Sequence, residues 1–306
     1  MPQDSCLYCT VKNNFIQVIE IYDNFSLFLQ KNLFDSFTLF NYHSIMGIEL
    51  LIVDPQNDFC TPSGSMYIKN AEQDCQHIAQ FIDKYIDEID SIHITMDMHP
   101  YYHIAHPIFW KDADGNQPAV NTLITHADFV SGKYRPADEN LNKRVEDYLI
   151  NLETRGRYVL TIWTPHCLLA TQGACVEKKV LDAARKWEQH KPGRIIDFVT
   201  KASNPMTEHY SAIQAEVPDP SDPSTRINFT LIDKLKNKDI YVVGEALSHC
   251  ISHTIRDLCM YIPASRITLL TDCTSNVEGF EDIGNHFLVE YQNKGMNTLL
   301  STEVTL

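Results

Sequence analysis

Gly47-Ile48-Glu49-Leu50-Leu51-Ile52-Val53-Asp54-Pro55-Gln56-Asn57-Asp58-Phe59 is the stretch from which the fold is read. A short, almost unbroken apolar run ends on a carboxylate, which is how the first strand of an α/β domain and its following turn look in sequence. Downstream, apolar runs at 91–96, 158–163, 194–200, 239–243 and 266–271 alternate with helical patterns at 72–89, 141–154, 176–189, 224–235 and 250–261. With 49–53 as first strand, this alternation predicts an α/β fold: a parallel, doubly wound (Rossmann-like) sheet with helices on both faces. Ligands of such folds collect at the carboxyl ends of the strands. The stretch 106–157, containing Asp114-Gly115-Asn116, reads as an insertion with one helix, and 218–223 as a rigid, proline-rich surface loop.

Composition excludes more than it identifies. The chain has 306 residues, 44 % hydrophobic and 21 % charged, as ordinary globular proteins have. With 25 Lys+Arg against 40 Asp+Glu the net charge is −15, which offers no basic footprint for nucleic acid or an anionic membrane. No apolar run reaches the ~18 residues of a membrane span. Met1-Pro2-Gln3-Asp4 lacks the basic start of a secretory leader. Nine widely spaced cysteines, an odd number, read as reduced thiols of a cytoplasmic protein, one of them a candidate nucleophile. Cys6-x-x-Cys9 is half a zinc site with no second half.

Residues 1–45 differ from the rest. They contain no Gly, Ala, Arg or Trp, yet include Phe15, Phe25, Phe28, Phe34, Phe37 and Phe40. Their apolar residues recur at helical spacing, as in an amphipathic cap. The preferred reading is an N-terminal extension translated from AT-rich upstream DNA, with Met46 as natural start and a hydrolase domain over 46–306.

Several strand ends carry chemically useful groups. Asp54 closes the first strand, where burial would raise its pKa toward general-base duty. Cys250 follows the strand and turn Tyr241–Ser248, early in a helix whose dipole favours a thiolate and whose N–H groups suit an oxyanion. Lys201 closes Ile195-Ile196-Asp197-Phe198-Val199-Thr200 and would lower the pKa of a neighbouring thiol. Asp97-Met98-His99 follows the second strand and Trp163-Thr164-Pro165-His166-Cys167 the third. Asp97 and His99, with His103 or His106 and with His166, form a plausible divalent site for zinc or a similar metal. Taken singly, each has a plainer reading: a capping Asp, a packing Cys, a solvated Lys, surface histidines.

Together these motifs resemble the nicotinamidase branch of the isochorismatase-like cysteine hydrolases, over Gly47 to Thr271. The motifs are Val53-Asp54-x-Gln56-x-Asp58-Phe59, Lys201 followed by Tyr210-Ser211, and Gly244-x-Ala246-x-x-x-Cys250. The resemblance implies the isochorismatase-like hydrolase fold and a catalytic triad of Asp54, Lys201 and Cys250. It also implies a cis peptide before Ala246 and an oxyanion hole made by the N–H groups of Ala246 and Cys250. Asp97, His99 and His166 carry over as metal ligands, with His103 as a further candidate. Phe59 and Trp163 carry over as the aromatic lining of the substrate pocket. Met98 stands where the branch has Trp, Pro165 is displaced by one position, and the 106–157 stretch is longer than usual. After His166-Cys167, Leu168-Leu169-Ala170-Thr171-Gln172-Gly173 replaces the usual Gln-Gly-Thr.

The activity implied is metal-dependent hydrolysis of nicotinamide to nicotinate and ammonia through a cysteine thioester, a step in NAD salvage. The expected partner is a small-molecule amide, and the branch's habit of self-association implies a homo-oligomer. Two alternatives stay open: a cysteine hydrolase of another carboxamide, carbamoyl or ureido compound, and a non-catalytic binding protein on the same fold.

Overall fold

Every residue of the strand Ile48–Val53 is buried, on both of its faces. Ile48, Leu50 and Ile52 enter one apolar cluster, whereas Leu51 and Val53 enter another. A strand buried on both sides belongs in the middle of a covered parallel sheet, and that is its position. The computed structural model describes residues 47–306. The expectations about 1–45, Met46 and Cys6-x-x-Cys9 lie outside the described residues.

In chain order the strands are β1 Ile48–Val53, β2 Ile89–Asp97, β3 Trp110–Asp112, β4 Leu123–Ile124, β5 Tyr134–Pro136, β6 Leu160–Thr161, β7 Asp197–Lys201, β8 Asp239–Gly244, β9 Ile267–Leu270 and β10 Asn297–Leu299. The helices are α1 Asn57–Cys60, α2 Ala71–Lys84, α3 His126–Ser131, α4 Asn142–Arg155, α5 Lys178–His190, α6 Phe229–Leu235, α7 Ser252–Leu258 and α8 Glu281–Asn293. Six strands form the central sheet in the order β10-β9-β8-β1-β2-β7, with every neighbouring pair parallel. Counted along the chain from the β7 edge this is the doubly wound order 3-2-1-4-5-6, so the expected α/β fold is borne out. Because the order reverses beside β1, the carboxyl ends of β1, β2 and β8 border one crevice.

Helices cover both faces. In α5, Val180, Ala183, Ala184 and Trp187 recur at i, i+3, i+4 and i+7, and Glu177 caps the first turn from Lys179 and Val180 N–H. That stripe joins α2 over Leu50 and Ile52, while α4, α6, α7 and α8 bury their apolar residues with Leu51 and Val53. Gly244 ends β8 at φ +109°, and a Cβ there would lie 2.0 Å from the Val53 carbonyl oxygen. Only glycine permits this approach of β8 to β1.

Some expected elements differ. The 158–163 run is no strand of the central sheet: only Leu160–Thr161 is extended, antiparallel to β4. Its backbone is claimed by the insertion instead, with Asn121 N–H donating to Ile162 O and Ile162 N–H to Thr122 O at 2.6 and 2.9 Å. The place beside β2 goes to β7. The insertion holds two helices, α3 and α4, the strand pair β3–β5, and β4, which pairs with β6 just beyond it, rather than one helix. The expected helix at 224–235 begins only at Phe229, because Arg226 is extended after the turn at Pro223–Thr225. The helix expected over 72–89 stops at Lys84, and β2 begins at Ile89. Among the described residues no helix is long and apolar enough to cross a membrane.

Candidate active site

Parallel register brings the charged groups together. β2 and β7 pair so that their last residues, Asp97 and Lys201, lie side by side. Asp54 follows β1 in a left-handed turn at φ +45°, its N–H donating to Thr95 O and Oγ1 at 3.2 and 3.0 Å. Lys201 Nζ then lies 2.8 Å from Asp54 Oδ2, donates to Asp97 Oδ1 and to the His209 carbonyl oxygen, and stands 3.6 Å from Cys250 Sγ. All four side chains are buried. Cys250 sits in a wide helical turn, Leu247–Ile251, that runs directly into α7. The Glu245–Ala246 peptide is cis. Ala246 N–H meets no acceptor among the described residues.

Burial sets the protonation states here. It lifts the Asp54 carboxyl to about 6, the Lys201 ammonium restraining the rise and Asp97 adding to it. Burial also opposes the charge on Asp97, but Lys201 and His166 outweigh it and hold this carboxyl below the usual range. Lys201, despite burial, is held well above its ordinary value by Asp54 and Asp97. For Cys250 burial dominates and pushes the thiol up; Lys201 pulls it down, while Asp54 and Asp97 push it further up. Lys201 acts in the expected direction, but the expected net depression of the thiol is corrected by its burial. Burial outweighs the pull of an ammonium that is itself flanked by two carboxylates, so the resting sulfur is a thiol and needs a base.

A second set of residues lies beside Asp54, Lys201 and Cys250. Asp97 Oδ1 is taken by Lys201, leaving Oδ2 3.8 Å from His166 Nε2. His166 Nδ1 pairs with the Thr164 carbonyl at 2.7 Å, which leaves the Nε2 lone pair free. His99 is buried with neither ring nitrogen hydrogen-bonded among the described residues. Asp97, His99 and His166 each bring a ligand atom within 4.8 Å of the others. Orphaned imidazole nitrogens beside a carboxylate oxygen are a donor set suited to a divalent metal. His103 is differently placed: its Nε2 pairs with Thr207 O at 3.1 Å and its Nδ1 accepts from Ala105 N–H at 3.2 Å.

Phe59, Trp163, His166, Tyr210, Ala246 and Cys250 line one pocket. Trp163 Nε1–H donates to Tyr210 Oη at 2.7 Å, and the Phe59 ring lies 5.1 Å from that of His166.

Sequence reasoning passed over several contributors. Thr95 Oγ1 donates to Asp54 Oδ1 at 2.5 Å. Gln56 clamps the end of β2: its Oε1 accepts from Asp97 N–H, and its Nε2 donates to Asp97 O, both at 2.7 Å. Asp58 Oδ2 accepts from Cys167 N–H at 2.7 Å and anchors the loop after His166. Glu208, buried in the same pocket, has Oε1 3.7 Å from His99 Nε2. Gln56 and Asp58 lie within the Val-Asp-x-Gln-x-Asp-Phe motif, so their spacing was the available clue; Thr95 and Glu208 carried none.

No family model matches the chain. It is 23 % identical over 250 residues to the nicotinamidase of Saccharomyces cerevisiae, an alignment covering 82 % of this chain and 98 % of that protein. The crystal structure of the yeast nicotinamidase bound to the inhibitor nicotinaldehyde superposes with a TM-score of 0.58 at 20 % identity, covering 83 % of this chain and 99 % of that one. An Acinetobacter baumanii nicotinamidase/pyrazinamidase superposes with a TM-score of 0.57 at 19 % identity, over 85 % and 99 % of the two chains. The resemblance read from the motifs is borne out: in sequence and in fold this chain is similar to the nicotinamidases of the isochorismatase-like fold.

Proposed function

We propose that the chain is an amidohydrolase converting nicotinamide to nicotinate and ammonia through a thioester on Cys250. The observation that carries the reading is Cys250, a wall of the aromatic-lined pocket, with its Sγ 3.6 Å from Lys201 Nζ, itself 2.8 Å from Asp54 Oδ2.

Asp54, with a pKa of about 6, is ionised at neutral pH and takes the proton of the Cys250 thiol. Lys201 balances the negative charge that this leaves on sulfur. The sulfur attacks the carboxamide carbon, and the N–H groups of Ala246 and Cys250 receive the developing oxyanion. As the C–N bond breaks, Asp54 returns its proton to the departing ammonia. A water molecule, deprotonated by the same carboxylate, then attacks the thioester; nicotinate leaves and the thiol is restored. Phe59 and Trp163 flank the ring, each favourable aromatic pair adding about 0.5–1.5 kcal/mol. A divalent metal of the zinc type would be held by Asp97, His99 and His166 and would supply Lewis acidity toward the ring nitrogen.

The test is ammonia release from nicotinamide. Wild-type protein should release it and Cys250→Ala should not, while still binding the substrate. Turnover by Cys250→Ala close to wild type would remove this thiol from the chemistry.

A further inference from the structure

Four buried imidazoles cluster behind the pocket, none more than 4 % exposed: His99 brings a ligand atom into one group with Asp97 and His166 and into another with His103 and His106. Their ring nitrogens can be accounted for one by one. His166 gives its Nδ1–H to a backbone carbonyl, that of Thr164. His106 does the same, with Nδ1 3.0 Å from Tyr101 O. A carbonyl can only accept, so both rings carry a proton on Nδ1, and the neutral form of each has its lone pair on Nε2, the arrangement that prepares an imidazole to ligate. The Nε2 of His106 is buried and has no partner among the described residues, and the same holds for both nitrogens of His99. His103 is the opposite case. Its Nε2–H goes to Thr207 O, and its Nδ1 lone pair is used by Ala105 N–H. It keeps no lone pair for a metal.

The ring spacings agree with a shared centre. Zinc–nitrogen bonds of about 2.0–2.1 Å put each ring centroid about 3.2 Å from the ion, so two ligating rings lie about 4.5 Å apart at a right angle and about 6.4 Å when opposed. The His99–His166, His99–His106 and His106–His166 centroids are 4.7, 5.2 and 5.9 Å apart, inside that interval, as are His99–His103 and His103–His106 at 4.6 and 5.2 Å, so hydrogen bonding and not spacing separates His106 from His103.

We propose that His106 is a fourth protein ligand of the metal held by Asp97, His99 and His166, and that His103 is not a ligand. The inference rests on the metal site of the proposed function and extends it. Three neutral imidazoles and one carboxylate make an N3O set, which suits zinc, cobalt(II) or iron(II) better than magnesium or calcium.

The experiment uses the full chain, stripped with a chelator and titrated with cobalt(II), so the readout is independent of turnover. His106→Asn keeps an N–H near Tyr101 O and deletes only the distal nitrogen; it should bind cobalt at least tenfold more weakly than wild type, with altered visible bands. His103→Gln should bind within about threefold of wild type, with the same bands. Circular dichroism of each metal-free variant reports whether it is folded. Cobalt-loaded wild-type protein supplies a readout that no variant's folding affects: hyperfine-shifted imidazole N–H proton resonances should number three. Two resonances, or a His106→Asn variant with wild-type affinity and bands, would overturn the assignment of His106. Cobalt binding lost in a folded His103→Gln would overturn the exclusion of His103. Wild-type protein that binds no cobalt would overturn the metal site itself and this inference with it, whereas ammonia release tests the thiol chemistry separately.

Discussion

Replacing Thr95 by valine removes one hydrogen bond that favours the ionised form of Asp54, beside the larger effects of burial, Lys201 and Asp97. Thr95 is fully buried at the end of β2, and its hydroxyl donates to Asp54 Oδ1 at 2.5 Å, so an isosteric Val removes that donor with little change of volume. Asp54 N–H keeps a partner in the Thr95 carbonyl at 3.2 Å, which spares the turn. A hydrogen bond to a charged group contributes about 1.5–3 kcal/mol, and this one favours the ionised carboxylate only. At 1.36 kcal/mol per pKa unit its loss raises the Asp54 pKa by about 1–2 units, from about 6 to about 7–8. Catalysis needs the carboxylate form, so activity is present above this pKa and disappears as pH falls through it. The acid limb of kcat/KM for nicotinamide, followed by ammonia release, should therefore move up by the same amount. At pH 6 the variant should be about five- to fiftyfold slower than wild type, and at pH 9 the two should agree within about twofold. An acid limb that stays near 6 with a uniform loss at every pH would refute Asp54 as the titrating base.

Further outcomes can be measured alongside. Ala246→Pro deletes one backbone N–H at the proposed oxyanion position and should lower kcat by roughly 10²–10³ with little change in substrate affinity; an unchanged kcat would dismiss that donor. Gly244→Ala sets a Cβ 2.0 Å from Val53 O at φ +109° and should destabilise the fold by more than about 2 kcal/mol in thermal or denaturant unfolding. Gln56→Leu leaves Asp97 N–H without its side-chain acceptor; metal affinity should fall about 10–100-fold by competition with a chromophoric chelator, as expected when outer-shell support is lost. His166→Ala should lose most of its metal by elemental analysis, and equal metal content would show that the site lies elsewhere.

How far the sequence could be read depended on the kind of feature. Asp54 and Lys201 stood out because a strand buried on both faces is a continuous apolar run, so the first charged residue marks its end. Cys250 stood out because glycine and small residues open the turn between β8 and the following helix. Periodicity misread 158–163, since an apolar run stapled into the core by Asn121 and Thr122 looks the same as one paired in a sheet. It also missed β10, three residues with only one large apolar side chain, and the α8 helix before it. Thr95 and Glu208 carried no local mark. Their roles are contacts with Asp54 and His99, 41 positions away in the first case.

The sequence by itself determined which groups were available and at which strand ends they would stand: a carboxylate, an ammonium, a thiol and a set of imidazoles around one crevice. Tertiary structure decided their states. The Cys250 thiol is pushed up rather than down because burial outweighs the pull of Lys201, with Asp54 and Asp97 adding to the rise. The lone pair of His106 is free while that of His103 is spent: the Thr207 carbonyl, 104 residues along the chain, holds the His103 proton on Nε2 and leaves only Nδ1 to accept from Ala105 N–H. Protonation and hydrogen-bond satisfaction are sums over every neighbour in space, and most of those neighbours are remote in the chain.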